Sequence, residues 1–318
     1  MVKPILSIII VSYNTADITI NCLRSIFKDK RLTFDLSDLS TGEIPAEIIV
    51  IDNASADNSV SLIKKLKKPI RIIQNTKNLG FGKANNQGIK VSIGNYILLL
   101  NSDTIIVHSS ISQCLNWLSS HPEAGICTAQ LLNTNKTIQA TGGFFPNLLN
   151  VFTWSTGLDD LPLTNQIIKP FHPHTPNFYT HDSFYQKNHQ QDWVTGAFML
   201  LRRSLLAKPG LFDPNFFMYS EEVEWLYRIK KSHPNMQTWY LIDPQVIHLG
   251  GASSQTKSFP ILKEYQGVLA FFKKHQPSYQ TSLVKIMLRL SSLLRFVLFK
   301  IIGQTDKAKI YHQAWSTF

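Results

Sequence analysis

An α/β fold built around a mostly parallel sheet is what the first hundred residues predict, and three observations carry the prediction. Apolar runs of strand length alternate with amphipathic runs of helix length. Turn-forming or small polar residues separate them. Several of the strands end in Asn, Asp or Ser, on the edge where parallel sheets place ligands.

In chain order, Ile5–Val11 reads as a buried strand and 16–28 as a helix with Ile18, Cys22, Leu23 and Ile26 on one face. A polar stretch, 31–46, reads as a loop insertion before a second strand at Glu47–Ile51. A short helix over 57–67 is capped by Ser55 or Asp57. Arg71–Gln74 is a third strand, 82–92 a helix and Tyr96–Leu100 a fourth strand. Residues 144–190, rich in Pro, His, Asn and aromatics, read as an irregular excursion with short helices flanking a substrate. Beyond them the pattern predicts a strand at Trp193–Leu201, a helix near Arg203–Ala207 and a helix over 220–231 capped by Ser220. Two short strands follow, Trp239–Ile242 and Gln245–His248, then helices near 260–275 and 281–302.

The chain has 318 residues, 44% of them hydrophobic and 17% charged, so it can bury a sizeable core and is not a low-complexity or disordered polymer. Its three cysteines, Cys22, Cys114 and Cys127, form no C-x-x-C pair, which excludes a zinc ribbon or a disulfide framework. No secretory leader and no membrane-spanning run are expected, and the protein is expected in the cytoplasm. The net charge is +11, and residues 283–318 contribute +5 of it, six cations against Asp306 alone. That concentration suggests a surface on which the tail docks more than a nucleic-acid groove, and no nucleic acid is expected as partner. Within 283–302, Lys285, Arg289, Arg295 and Lys300 fall in an arc of about 140°, opposite Ile286, Leu290, Leu294, Val297 and Ile301. Two readings stay open: a helix lying in an anionic membrane interface, or a helix that packs its apolar stripe on the body of the fold.

The strand ends carry the chemistry. They read Ser12-Tyr13-Asn14, Asp52-Asn53-Ala54-Ser55, the segment Asn78 to Asn86, and Asn101-Ser102-Asp103. Gly80-Phe81-Gly82 is not a dinucleotide fingerprint, because Asn85 stands where the third glycine belongs and the segment does not follow the first strand. Asp103 closes an apolar strand, where a carboxylate can hold a divalent cation bridging a diphosphate or simply make a turn. Glu221 and Glu222 open a helix beside Phe216, Phe217, Met218, Tyr219 and Trp225, a setting for a raised pKa and general-base work; a solvated acidic first turn is the alternative. His248 ends a strand before Gly250.

Taken in order, Ile8 to Asn14, Val50 to Ser55, Asn78 to Gly88, Leu100 to Asp103, Thr195-Gly196-Ala197 and Phe212 to Glu224 resemble the family 2 inverting glycosyltransferases of the GT-A fold. Pro122 to Pro146, with Leu131-Leu132-Asn133 and Thr141 to Pro146, fits the rhamnosyltransferase-like branch, and the resemblance covers roughly 4–255. It implies that Val11, Tyr13, Asn14, Asp52 and Asn53 hold the nucleotide, Tyr13 by stacking on the base and Asp52 by accepting a base N–H. Gly82, Lys83, Asn86, Asn101 and Ser102 would line the diphosphate and donor sugar. Asp103 matches the metal-ligating acid of a D-x-D motif that here reads Asn101-Ser102-Asp103, with His248 as a further ligand. Glu222 matches the general base within a pair that here reads Glu221-Glu222, and Gly196, Ala197 and Arg228 lie toward the acceptor. The Q-x-x-R-W signature of processive synthases is absent.

The expectation is therefore an α/β GT-A enzyme. Residues 1–255 form the transferase domain, with a nucleotide-sugar half to about 105 and an acceptor half from about 106. Residues 256–318 form a basic, helical, membrane-associating extension. The resemblance implies a divalent cation (Mg2+ or Mn2+), a nucleotide-diphospho-sugar donor such as dTDP-rhamnose or a UDP-sugar, and a glycan or lipid-linked acceptor at the inner face of the membrane. A donor-binding pseudoenzyme that scaffolds a membrane assembly is the alternative.

Overall fold

The computed structural model describes residues 3–37, 43–161, 164–173, 175, 184–250 and 259–318. Its chain divides into two compact units. The first comprises Met1–Gly142, His174–Phe217 and Glu221–Ser253; the second comprises Gly143–Pro173, Met218–Ser220 and Ser254–Phe318. The second unit thus joins the C-terminal helices with residues 143–173, the first part of the 144–190 excursion, and with three residues ahead of Glu221.

In the first unit the elements run β1 (Leu6–Ser12), α1 (Ala16–Ile26), β2 (Leu32–Thr33), β3 (Ile44–Asp52), α2 (Ser59–Lys65), β4 (Ile70–Gln74), α3 (Phe81–Val91), β5 (Tyr96–Asn101), β6 (Thr104–Ile106), α4 (Ser110–Ser120) and β7 (Ala124–Leu132). Among the described residues, the sheet orders its main strands β2-β3-β1-β5, followed by β9, β7, β10 and β6, with β4 beside β3 and β8 beside β10. Here β8 is His189–Gln191, β9 is Phe198–Arg202 and β10 is Gln237–His248, while α7 spans Glu221–Ser232. Pairing within β2, β3, β1, β4 and β5 is parallel, as the strand–helix alternation predicts. Past β5 the sheet turns mixed: β9 runs antiparallel to β5 and β7, and β10 runs parallel to β7 but antiparallel to β6.

Ile8 and Ile10 on β1, Ile48 and Val50 on β3, and Leu98 and Leu100 on β5 pack with Leu23 and Ile26 of α1 in one core. Each such side chain removed from water stabilises the fold by about 1.5–3 kcal/mol. These central strands are apolar on both faces because helices cover both, so they read as continuous apolar runs. Several boundaries depart from expectation. The 31–46 insertion contains β2 and the start of β3. The two short strands after residue 238 are one strand, β10, broken by a register irregularity between Leu241 and Gln245. The turn at Arg203–Leu206 is 3-10, and the strand expected from Trp193 begins at Phe198.

The second unit contains α5 (Leu148–Thr156), α6 (Thr164–Ile167), α8 (Phe259–His275), α9 (Ser278–Ile301) and α10 (Thr305–Thr317). Asn147 caps α5 through a reciprocal box with Asn150. No described helix is long and apolar enough to cross a membrane. Inside this unit α9 buries Val284, Leu288, Ser291 and Ser292, and leaves Ile286, Leu290, Leu294, Val297 and Ile301 exposed. The apolar stripe is therefore not the face that α9 packs. One of the four cations expected to face outward also turns in. Arg295 donates to the Trp154 carbonyl and the Tyr311 hydroxyl, tying α5, α9 and α10, whereas Lys285, Arg289 and Lys300 are exposed.

Candidate active site at the strand ends

Register alone brings the predicted nucleotide residues together. Ser12 pairs with Asp52 and Val11 with Asn101, so the ends of β1, β3 and β5 lie level. Tyr13 and Val11 are half buried there. The turns beyond the strands lock to one another. Asn14, with φ 53°, accepts from the Ala56 amide and donates its own amide to Ser55, and Asp57 accepts from the Ala16 amide. Asp52 is 4% exposed. One of its oxygens accepts from the Ser55 amide at 3.3 Å, and the other, Oδ1, is buried without a hydrogen-bond partner among the described residues. A buried orphan acceptor is costly, so such an atom marks either strain or a ligand.

Asn53 sits beside it and is fully used. It accepts from Asn75 and from the Leu79 amide, and donates to Asn78 and the Gly80 carbonyl. It is the post on which the loop into α3 is hung. Gly80 opens that helix at φ 80°, where a Cβ would stand 2.3 Å from the Phe217 carbonyl oxygen. The Phe81 amide donates to the same carbonyl, and Asn86 clasps Phe212 through both its backbone N–H and C=O. Asn86, expected along the diphosphate, therefore has its amide committed to the 212–217 segment. Gly82 is buried against Phe212, while Lys83 is exposed at the first turn of α3.

At the end of β5, Asn101 is half buried and Ser102 and Asp103 are buried, with Ser102 within 3.3 Å of Thr15. His248 reaches them because β10 pairs with β6 and sets His248 opposite Thr104. Its Nε2 lies 3.2 Å from Asp103 Oδ1 and 3.3 Å from Asn101 Nδ2, and its Nδ1 lies 2.5 Å from Gln139 Oε1. The Leu249 amide donates to the Asp103 carbonyl, and Gly251 to Ser253 fall outside the described residues. The carboxylate is a donor that suits Mn2+ or Mg2+, and the imidazole adds a nitrogen donor that favours a transition ion over Mg2+. Among the described residues no three His, Cys, Asp or Glu side chains converge, and this pair is what the strand ends could offer a cation. Ala197 accepts from the Asn101 amide, and Gly196 lies under the Phe81 ring, where a Cβ would meet Cζ at 2.4 Å.

Tyr219 and Ser220 both take left-handed backbone, φ 69° and 66°, immediately before α7. The capping role expected of Ser220 is not filled, because its hydroxyl is buried with no hydrogen-bond partner. Glu221 is buried, its Oε2 also lacks a partner, and burial followed by the Glu222 charge pushes its carboxyl well above the usual carboxylate range. Glu222 is half buried. Arg228, expected toward the acceptor, is spent elsewhere: it grips Glu224 bidentately at 2.8 and 3.0 Å and donates to the carbonyls of Pro209 and Leu211. The guanidinium fork matches a carboxylate one helical turn away and a tight turn below it.

Sequence reasoning missed Gln139 and Asn75, whose side chains bond His248 and Asn53. The clustered turn formers Asn133-Thr134-Asn135-Lys136-Thr137 announce a hairpin, but nothing local ties Gln139 to His248, 109 positions away.

The chain matches the model of glycosyl transferase family 2 over residues 7–210, and it belongs to that family. It is 23% identical over 219 residues to the N-acetylglucosaminyl-diphospho-decaprenol L-rhamnosyltransferase of Mycobacterium tuberculosis, covering 65% of this chain and 67% of that enzyme. It is 30% identical over 134 residues to the poly(ribitol-phosphate) beta-glucosyltransferase of Bacillus spizizenii, 41% of this chain but 19% of that one. The fold resembles that of a mannosyltransferase from Pyrobaculum calidifontis solved with GDP-Man and Mn2+, with a TM-score of 0.52 at 12% identity over all of this chain and 75% of the other. The protein is thus a glycosyltransferase of rhamnosyltransferase-like type on the expected GT-A fold.

Proposed function

We propose that this enzyme moves one sugar from a nucleotide-diphospho-sugar, dTDP-rhamnose or a UDP-sugar, to a hydroxyl of a glycan or lipid-linked acceptor, with inversion and without processivity. The observation that carries the reading is Asp52 Oδ1, a buried acceptor with no partner at the sheet edge, level with the strand that delivers Asp103. A nucleobase N–H supplies the bond that oxygen lacks, and Tyr13 stacks on the ring. Asp103 and His248 hold the divalent cation, which neutralises charge on the departing diphosphate when bound. Lys83 adds a positive charge from the start of α3.

Glu222 is the base. Its neighbour Glu221 is buried, and burial followed by the Glu222 charge raises its carboxyl, whereas Glu222 is partly accessible to an incoming hydroxyl. As the acceptor oxygen bonds to the anomeric carbon, its proton passes to Glu222, the bond to the diphosphate oxygen breaks, and the nucleoside diphosphate leaves with the electron pair. A single displacement inverts the centre. The same acceptor class fits a peripheral position on the inner face of the cell membrane, engaged through 283–302. Glu222→Gln keeps the shape and cannot take the proton; turnover should drop by about 10²–10⁴ with donor affinity unchanged. Near-normal turnover in Glu222→Gln, with loss in Glu221→Gln, would reverse the assignment.

A further inference from the structure

The amide groups around His248 form a hydrogen-bonded chain with a single consistent direction. It starts at Asn135, whose Oδ1 accepts the Thr137 backbone N–H at 3.2 Å. A backbone N–H can only donate, so that atom of Asn135 is the oxygen. The Thr137 hydroxyl spends its one proton on the same oxygen at 2.6 Å, and therefore accepts from Asn133 Nδ2 at 3.0 Å. The other end of Asn133 is then its oxygen, which accepts from Gln139 Nε2 at 3.0 Å. Gln139 must present Oε1 to the imidazole, and His248 Nδ1 must be the nitrogen that carries hydrogen. In the neutral ring Nε2 is left with a lone pair, which accepts from Asn101 Nδ2 and faces Asp103.

We propose that the 133–139 hairpin, through Gln139, is a positioning device that fixes His248 as the Nδ1–H tautomer, so that Nε2 offers a lone pair to a divalent cation at Asp103. The inference rests on the reading that Asp103 and His248 hold that cation, and adds what prepares the ligand. Without an acceptor at Nδ1, the neighbouring Asp103 carboxylate would draw the hydrogen to Nε2, and a cation would meet an N–H in place of a lone pair. Outer groups that orient a ligating histidine commonly contribute about 10–100-fold in metal affinity. Gln139 touches neither substrate nor cation in this scheme, and its effect runs through the ring alone.

Two readouts on the full-length chain test it, using Gln139→Leu, which removes the acceptor, and Gln139→Glu, which keeps one. The first is the 15N spectrum of labelled histidine without metal, with His248 assigned by its disappearance in His248→Ala. The wild type and Gln139→Glu should show Nδ1–H, and Gln139→Leu should show Nε2–H. The second is Mn2+ affinity by electron paramagnetic resonance in the presence of UDP. It should fall about 10–100-fold in Gln139→Leu and be retained in Gln139→Glu. Nε2–H in the wild type, or Nδ1–H persisting in Gln139→Leu, overturns the proposal whatever the metal does. A tautomer that switches while Mn2+ affinity stays constant overturns it too. Unchanged affinity in His248→Ala then puts the fault in the ligand reading, and weakened affinity there puts it in Gln139.

Discussion

Glu221 and Glu222 are adjacent in sequence, and Glu221 is the more deeply buried of the two. Glu221 is 3% exposed, with one carboxylate oxygen lacking any partner, and burial raises its pKa with the Glu222 charge adding to the effect. A carboxyl whose native pKa exceeds its unfolded one contributes fully to stability below the ordinary carboxylate range. That contribution is lost as pH rises toward the native value, because the unfolded chain gives up its proton first. The wild type should therefore lose stability above the ordinary carboxylate range with a slope of up to about 1.4 kcal/mol per pH unit from this group. Glu221→Gln cannot ionise and should gain relative to wild type over that window. Thermal melts from acid to neutral pH read the difference, and parallel curves would show that Glu221 is ionised in the native state. A carboxyl that holds its proton across that window accepts none there, so the same titration bears on which of the two acids is the base.

Helix α7 delivers that pair, and its own anchor is the Arg228–Glu224 brace. Glu224 has no exposed side-chain surface, and Arg228 also satisfies the carbonyls of Pro209 and Leu211. Arg228→Leu removes the cation from a buried carboxylate, which typically costs about 3–5 kcal/mol. The outcome to expect is a large drop in thermal midpoint, whereas a raised acceptor KM with unchanged stability would return Arg228 to the acceptor side. Nothing in the spacing of Glu224 and Arg228 separates these roles, because any i, i+4 pair reads the same on a helix. The parallel strands β1, β3 and β5 were legible because covered on both faces they become unbroken apolar runs, and β4 was legible from its Ile pattern although none of its residues is buried. The polar ends Asp52, Asn101 and Asp103 were legible because packing gives no reason for them. Beyond them β9 and β10 were legible with shifted bounds, whereas β6, β7 and β8 were not expected, and the helix α10, short and mixed in polarity, left no clear stripe. Gln139 and Asn86 were opaque for another reason. Their partners, His248 and Phe212, lie 109 and 126 positions away and follow only from sheet register and loop closure.

The chain as a whole has to bring a water-soluble donor to an acceptor that, on the proposed reading, is anchored in lipid, and the second unit offers the surface for it. On α9 the packing face is small, Val284, Leu288, Ser291 and Ser292, while Leu294 is 66% and Ile301 78% exposed along a stripe with Ile286, Leu290 and Val297. A stripe that the unit does not bury costs water contact with every residue, and burial recovers about 25 cal/mol per Å². Lys285, Arg289 and Lys300 flank it and remain exposed, so apolar insertion and attraction to anionic head groups act together. Arg295, hydrogen-bonded inside the unit, adds nothing to that attraction. Deleting α9 would take its packing face along with its stripe, so point changes are the cleaner probe. Leu290→Glu with Leu294→Glu leaves Val284, Leu288 and Arg295 untouched and should preserve the thermal midpoint. Co-sedimentation with vesicles containing anionic lipid should fall at least tenfold in that double variant, and should weaken with salt in the wild type. Wild-type protein that ignores anionic vesicles, or a double variant that binds as well, would leave the exposed stripe unrelated to lipid and the inner-face placement without support.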